Sequence, residues 1–144
     1  IYILMGELSN QAAIQRTQDI KDVMASGDCG VTLNIVDEQT GNWRRDEGQN
    51  LMTNWLSAGA EFDAVISNND EMAIGAIQAL KAGGVAMEDV IVAGIDATQD
   101  ALAAMQAGEL DVTVFQDAAG QGSGALDAAL ALARGEAVEQ KVYV

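Results

Sequence analysis

Residues 64–76 read AVISNNDEMAIGA, and this stretch decides the fold class of the chain. Residues 64–67 form a short apolar run that is typical of a buried strand. Residues 68–71 then offer side-chain oxygens to the free N–H groups of a helix start. The helix predicted over residues 71–82 turns apolar side chains inward and ends at Gly83 and Gly84, a C-terminal cap signal. A strand followed at once by an amphipathic helix is one unit of a parallel α/β sheet.

The same alternation of strand and helix patterns extends over the rest of the chain. The predicted strands are residues 1–5, 31–36, 64–67, 90–93 and 112–115, with a further strand at 141–144. The predicted helices are residues 10–25, 43–58, 71–82, 98–107 and 123–134. This order predicts an α/β fold, a three-layer α/β/α sandwich around a parallel doubly wound sheet, with residues 1–144 forming a single lobe.

Charge and composition exclude several functional classes. Seven basic residues against 22 acidic residues give a net charge of −15, which repels the phosphate backbone of nucleic acid. With no histidine and one cysteine, Cys29, the chain lacks the usual zinc ligands and any Ser-His-Asp or Cys-His arrangement. Asp70 and Asp96 suggest an acid–base pair, but no nucleophile or phosphate-binding loop accompanies them. We therefore expect a binding protein, with neither cofactor nor metal, rather than an enzyme.

Polar side chains follow each predicted strand, where the ligands of open α/β sheets bind. Asn, Gln, Asp and Arg together offer donors and acceptors in fixed directions, and an indole lies flat against the C–H face of a ring. This chemistry suits a polyhydroxylated ligand. The candidate ligand-binding residues, in chain order, are Asn10, Arg16, Trp43, Asn69, Asp96 and Gln116.

Each of these candidates also has a structural interpretation. Asn69 and Asp96 are each suited to capping the helix that follows, and Trp43 is suited to packing in the core at a helix entry. Arg16 has Asp19 and other carboxylates as alternative partners, and Gln116 is also consistent with an ordinary surface residue. The prediction of a site rests on their shared position at one edge of the sheet.

The same residues sit in a pattern that resembles the C-terminal lobe of periplasmic sugar-binding proteins of ABC transporters, of the ribose, galactose and inositol type. Residues 64–76 are similar to the most distinctive stretch of that family, and residues 92–97 (VAGIDA) and 112–117 (VTVFQD) keep its order. The resemblance implies that Arg16, Asn69, Asp96 and Gln116 hydrogen-bond ligand hydroxyls while Trp43 stacks on the ring. Asn10 is a weaker candidate, since its loop varies within the family.

Two positions bear on the ligand. Ribose binders of that family carry an arginine where this chain has Ile14, which favours a galactose- or inositol-like pocket. Gln116 in place of asparagine favours inositol or a related polyol. The resemblance further implies a periplasmic location and an ABC transporter permease as partner.

Family members have two lobes and about twice this length, so we expect an N-terminal lobe, half of the pocket and a signal peptide to lie outside this sequence. A single lobe leaves one face of the ligand in water, and we expect weak or undetectable binding by this chain alone, as calorimetry would test. The surface that would face the missing lobe is a candidate for homodimer formation.

The effector-binding domain of LacI-type transcriptional repressors is the alternative function. Those proteins share this lobe and add a DNA-binding segment before it. They tend to carry a proline before the fourth strand and a Gly-Phe-Asp-Asp-like turn after it. This chain contains no proline and has Gly94-Ile95-Asp96-Ala97 at the turn, which favours the transporter receptor.

Overall fold

A computed structural model describes residues 1–28 and 30–139. The strand predicted at residues 141–144 and the position of Cys29 lie outside the described residues. The contacts divide the chain into two compact units, Ile1–Val114 and Phe115–Val144, and each is described by itself. Within the described part of the chain, no helix is both long and apolar enough to cross a membrane.

The predicted α/β fold class is confirmed. The strands are β1 (Tyr2–Met5), β2 (Asp37–Thr40), β3 (Ala64–Ser67), β4 (Ile91–Asp96) and β5 (Val112–Phe115). The helices are α1 (Gln11–Ser26), α2 (Arg45–Ala58), α3 (Asp70–Ala82), α4 (Gln99–Gln106) and α5 (Ala118–Ala133), with a short 3₁₀ turn at Met87–Asp89. Predicted and observed bounds coincide for β3 and β5.

The strands form one sheet in the order β2-β1-β3-β4-β5, and β1 pairs in parallel with both β2 and β3. Successive residues of β1 point to opposite faces of this sheet. Tyr2 and Leu4 join a buried cluster with residues of α2, α3 and α4, whereas Ile3 joins a smaller cluster that includes Ile20 and Met24 of α1. Helices therefore cover both faces of the sheet in the first unit, as a buried parallel sheet requires.

The second strand was predicted in the wrong place. Residues 31–36 lie outside the strands, and β2 is the polar segment Asp37–Thr40. Residues 31–36 show the alternating apolar pattern of a strand because Leu33 and Ile35 pack against the smaller core cluster. They do so from a loop rather than from a strand. β2 is an edge strand held by its pairing with β1, and the solvent beside an edge strand tolerates charged side chains.

One further prediction about a helix was wrong. The last helix begins at Ala118 rather than Ser123, because the Asp117 carboxylate accepts a hydrogen bond from the Gly120 N–H at 2.8 Å and starts the helix earlier. Glycine has a low helix propensity, so Gly120 and Gly122 weaken the helix pattern at this start.

Candidate ligand-binding site

The strand order places a topological switch point between β1 and β3. Connections from these two neighbouring strands leave toward opposite faces of the sheet, which opens a crevice at their carboxyl ends. The residues just beyond that edge are Gly6 after β1 and Asn68 and Asn69 after β3. Asp96 ends β4, and Asn42 and Trp43 follow β2. The described loops at this edge therefore supply the candidate site.

Asn68 joins the loops of the switch point. Its side chain is fully buried, and its Oδ1 accepts hydrogen bonds from the Gly6 N–H at 3.1 Å and from the Thr17 hydroxyl at 3.1 Å. Its backbone carbonyl accepts from Arg16 Nη1 at 2.6 Å. A buried amide that satisfies donors on β1 and α1 fixes both elements against β3. Asn68 thus positions Arg16.

Arg16 lies between an acidic and an aromatic partner. Its Nη1 is 3.5 Å from Asp96 Oδ1, and its guanidinium carbon is 5.7 Å from the centroid of the Trp43 ring. That distance falls within the range of a cation–π contact. The Arg16 side chain is 21% exposed, which leaves part of the guanidinium accessible to a ligand.

Trp43 is held by the backbones around it. A Cβ atom at Gly6 would overlap the indole ring, so only glycine at position 6 lets the ring lie against β1. The Trp43 carbonyl accepts a hydrogen bond from Asn69 Nδ2 at 3.2 Å. Asn42 and Trp43 have positive φ values of 52° and 67°, a conformation that non-glycine residues adopt rarely. The turn with these φ values places the indole against Gly6.

Asn69 has two structural roles. Its Oδ1 accepts from the Met72 N–H at 3.1 Å and caps α3, while its Nδ2 binds the Trp43 carbonyl. The residue is 7% exposed. The predicted capping role is therefore real, and it coexists with a position inside the candidate site.

Asp96 is a partly buried carboxylate with an unusual backbone. Its side chain is 27% exposed and its φ is 127°, in a region that favours glycine. Burial raises the pKa of Asp96, the guanidinium of Arg16 opposes this rise, and the charge of Asp70 adds to it. A hydrogen bond from the Asp70 backbone N–H also stabilises the ionised form. A carboxylate held in this way is able to accept hydrogen bonds from two adjacent hydroxyl groups.

Four of the six predicted residues meet in the structure. Contacts connect Asp96 to Arg16, Arg16 to Trp43, and Trp43 to Asn69. Asp96 does not cap α4, since Thr98 does so. Arg16 pairs with Asp96 rather than with Asp19, whose carboxylate accepts from Gln15. That these side chains contact a ligand stays a prediction.

The other two predicted residues have different surroundings. Asn10 is exposed and caps α1, since its Oδ1 accepts from the Ala12 N–H at 2.9 Å. Gln116 follows β5 as predicted and belongs to the second unit, where its Nε2 donates to Gln121 Oε1 at 3.2 Å. Both stay predicted ligand contacts.

The sequence does not identify the supporting residues of the site. Asn68 belongs to the predicted helix start at residues 68–71, a pattern that does not indicate its contacts with Gly6 and Thr17. Thr113 was not singled out, although its hydroxyl contacts both Ala97 N–H and Asp70. Polar residues in or beside apolar strands, and a glycine at the end of a strand, are visible in the sequence. These features do not indicate which residues they contact in the fold.

Comparison with known proteins identifies the family. The model described as periplasmic binding protein domain matches residues 1–137. The chain belongs to this family. A putative rhizopine-binding protein of Rhizobium meliloti is 68% identical over 142 residues, covering 99% of this chain and 46% of its own length. This chain thus spans about half the length of that relative.

Solved structures of this family share the fold closely. The ABC transporter solute-binding protein of Bacillus halodurans with bound myo-inositol matches with a TM-score of 0.90 and 52% identity, over 96% of this chain and 47% of that one. The family members that match this chain include ABC transporter solute-binding proteins and binders of myo-inositol and of ribose. The Lac repressor bound to ONPG matches with a TM-score of 0.81 and 28% identity, over 95% of this chain and 40% of that one.

Proposed function

We propose that this chain forms the C-terminal ligand-binding lobe of a two-lobe periplasmic receptor for a sugar or cyclic polyol, with an inositol-like ring as the preferred ligand. The observation that carries this proposal is the connected set of Arg16, Trp43, Asn69 and Asp96 at the switch point. Its members combine charged hydrogen-bonding groups with one aromatic face, as a ring with many hydroxyls requires.

The roles differ among the four residues. Asp96 accepts hydrogen bonds from ligand hydroxyls, and Arg16 donates to them. The accessible part of the Trp43 indole stacks on the C–H face of the ring. Asn69 orders the Trp43 carbonyl and the start of α3, and Gln116 and Asn10 add contacts at the periphery. An analogue that lacks a hydroxyl leaves one of these partly buried groups unpaired and binds more weakly.

Binding, not catalysis, is the proposed activity. The ligand contacts this lobe and the N-terminal lobe at once and thereby stabilises the closed arrangement. The closed receptor is then the form that an ABC transporter permease recognises. In this mechanism no bond of the ligand is broken and no cofactor or metal takes part.

The test is a thermal-shift screen of the complete two-lobe receptor, followed by calorimetry. The panel contains myo-inositol, D-galactose, D-glucose and D-ribose, with L-leucine as a ligand that carries no ring of hydroxyls. We expect stabilisation by at least one member, strongest for myo-inositol, and none by L-leucine. Stabilisation by none of the polyhydroxylated compounds contradicts the proposal.

The sequence encoded before Ile1 separates this function from that of an effector-binding repressor domain. A signal peptide and a further α/β lobe support the transport receptor. A DNA-binding segment in that position contradicts it and favours the repressor, whose structure the same fold also matches.

A further inference from the structure

Asp70 is a buried carboxylate outside the set described above. It is the first residue of α3, and its side chain is fully buried. Oδ2 accepts a hydrogen bond from the Thr98 N–H at 2.8 Å, and Oδ1 accepts from the Thr113 hydroxyl at 2.7 Å. One carboxylate thus binds both the loop after β4 and the strand β5. Burying a carboxylate destabilises the folded protein unless hydrogen-bond donors such as these satisfy it.

Thr113 extends this network to the residue after Asp96. The Thr113 hydroxyl accepts a hydrogen bond from the Ala97 N–H at 3.0 Å and donates one to Asp70 Oδ1. The two consecutive N–H groups that follow Asp96 are therefore both fixed, one directly by Asp70 and one through Thr113.

The backbone that these bonds hold is strained. Asp96 and Ala97 have φ values of 127° and 55°. A residue in such a conformation costs about 1–3 kcal/mol and persists only where its surroundings determine it. Among the described residues, the other non-glycine residues with positive φ are Asn42 and Trp43, also at the candidate site. The hydrogen bonds of Asp70 and Thr113 hold the backbone of the Asp96 turn in this conformation.

Gly94 leaves the space that Asp70 occupies. A Cβ atom at position 94 would overlap Asp70 Oδ1, so the glycine on β4 lets the carboxylate approach the strand. Three elements, α3, β4 and β5, therefore meet at one buried carboxylate directly behind Asp96.

We propose that Asp70 and Thr113 are positioning residues that hold Asp96 in its ligand-binding orientation without touching the ligand. The inference rests on the proposed function, because it presumes that Asp96 binds the ligand. Asp70 has no surface in this lobe through which to contact a ligand, so it acts through the Asp96 turn.

The test compares Thr113→Val with Thr113→Ser in the complete receptor. Valine has the shape of threonine but lacks the hydroxyl, whereas serine keeps it. Calorimetry with the tightest-binding member of the sugar and polyol panel measures the dissociation constant. Since a lost buried hydrogen bond costs roughly 1–2 kcal/mol, we expect about a 10-fold loss of affinity for Thr113→Val and about 2-fold or less for Thr113→Ser.

A matched control separates positioning from loss of stability. Val65→Ala removes core volume from β3, away from the Asp96 turn, and lowers Tm. We expect this variant to keep its affinity within about 2-fold, at a Tm no higher than that of Thr113→Val. Unchanged affinity of Thr113→Val, or equal losses in Val65→Ala and Thr113→Val, overturns the inference.

A double variant tests whether Thr113 acts through Asp96. If it does, Thr113→Val weakens the wild-type receptor but adds less than about 2-fold to the loss in an Asp96→Asn receptor. A full additional 10-fold loss there contradicts the positioning role. Failure of the proposed function gives a different result: Asp96→Asn and Asp96→Ala then bind as tightly as the wild type, and the inference falls with it.

Discussion

Among the described residues, two turns carry pairs of non-glycine residues with positive φ, and they are held in different ways. The turn at Asn42 and Trp43 is held by packing of the indole against Gly6 and Arg16. A backbone hydrogen bond from the Arg44 N–H to the Gly41 carbonyl closes it, and the Trp43 carbonyl accepts a further one from Asn69. The turn at Asp96 and Ala97 rests on buried hydrogen bonds from Asp70 and Thr113.

The two turns present different kinds of group: an aromatic ring at Trp43 and a carboxylate at Asp96. A ring face tolerates small shifts of the stacked aromatic, because dispersion contacts have no strong directional preference. The proposed binding of two hydroxyl groups by the Asp96 carboxylate depends on direction, because hydrogen bonds weaken steeply when they bend. We therefore expect the Asp96 turn to be less tolerant of change than the Trp43 turn, and the predictions below test that contrast.

Asp96→Ala has the largest expected effect. Removing the carboxylate takes away the directed hydrogen bonds and the ion pair with Arg16, so affinity of the complete receptor for its sugar or polyol falls by about 100-fold or more. Calorimetry measures it. The control is Asp63→Ala, an exposed carboxylate before β3 at the opposite edge of the sheet, which keeps wild-type affinity. Unchanged affinity of Asp96→Ala removes Asp96 from the site.

Gly94→Ala disturbs the polar turn without altering any ligand contact. The new Cβ displaces the Asp70 carboxylate from its fully buried position, and we expect a loss of roughly 2 kcal/mol in the free energy of unfolding together with about 10-fold in affinity. Denaturant titration and calorimetry measure the two quantities. Wild-type affinity in this variant would mean that the Asp96 turn does not need Asp70.

Gly6→Ala is the corresponding change at the packed turn. The new Cβ displaces the Trp43 indole, which is only partly buried, so we expect about a 5-fold loss of affinity and a loss of roughly 1 kcal/mol in the free energy of unfolding. Gly122→Ala in α5, whose added Cβ meets no atom outside its own helix within 4 Å, is the control. It keeps wild-type affinity, and the higher helix propensity of alanine raises its stability by about 1 kcal/mol. A larger affinity loss for Gly6→Ala than for Gly94→Ala reverses the expected contrast.

The pH dependence of stability has the smallest expected effect. Burial raises the pKa of Asp96, Asp70 raises it further, and Arg16 opposes the rise. Because the folded protein holds the Asp96 proton more tightly than the unfolded chain does, Asp96 contributes to folding stability at low pH. This stabilisation is fully present below the unfolded pKa of about 3.9 and is lost as the pH rises through the higher folded pKa.

The Asp96→Asn variant has no ionisable group at position 96 and therefore lacks this pH dependence. In the ligand-free receptor we expect its Tm to exceed that of the wild type by about 2 °C near neutral pH, with the difference disappearing toward about pH 3. Thermal unfolding followed across that pH range checks it. A difference that grows toward acid has the opposite sign and contradicts the raised pKa.

Much of the fold was predictable, because burial leaves a local pattern. Residues 64–82 combine an apolar strand, a capping asparagine and an amphipathic helix, and the structure confirms each of them. The position of β2 was not predictable, because an edge strand is held by backbone pairing with β1 while the apolar residues before it pack from a loop.

The candidate site was predictable as a set of residue types at one sheet edge, but the contacts among them were not. Strand ends supplied Arg16, Trp43, Asn69 and Asp96, whereas the capping role of Asn10 left that residue on the surface. The role of Asn68 was not predictable, because a buried polar side chain looks the same in sequence whether it caps a helix or links the loop after β1 to α1.

The sequence by itself determined the order of strands and helices and the polar residues that follow the strands. Only the tertiary structure decided the strained turn at Asp96 and the network behind it. The physical reason is distance along the chain: Asp70 and Thr113 are 43 positions apart, and no local pattern reports a hydrogen bond between them.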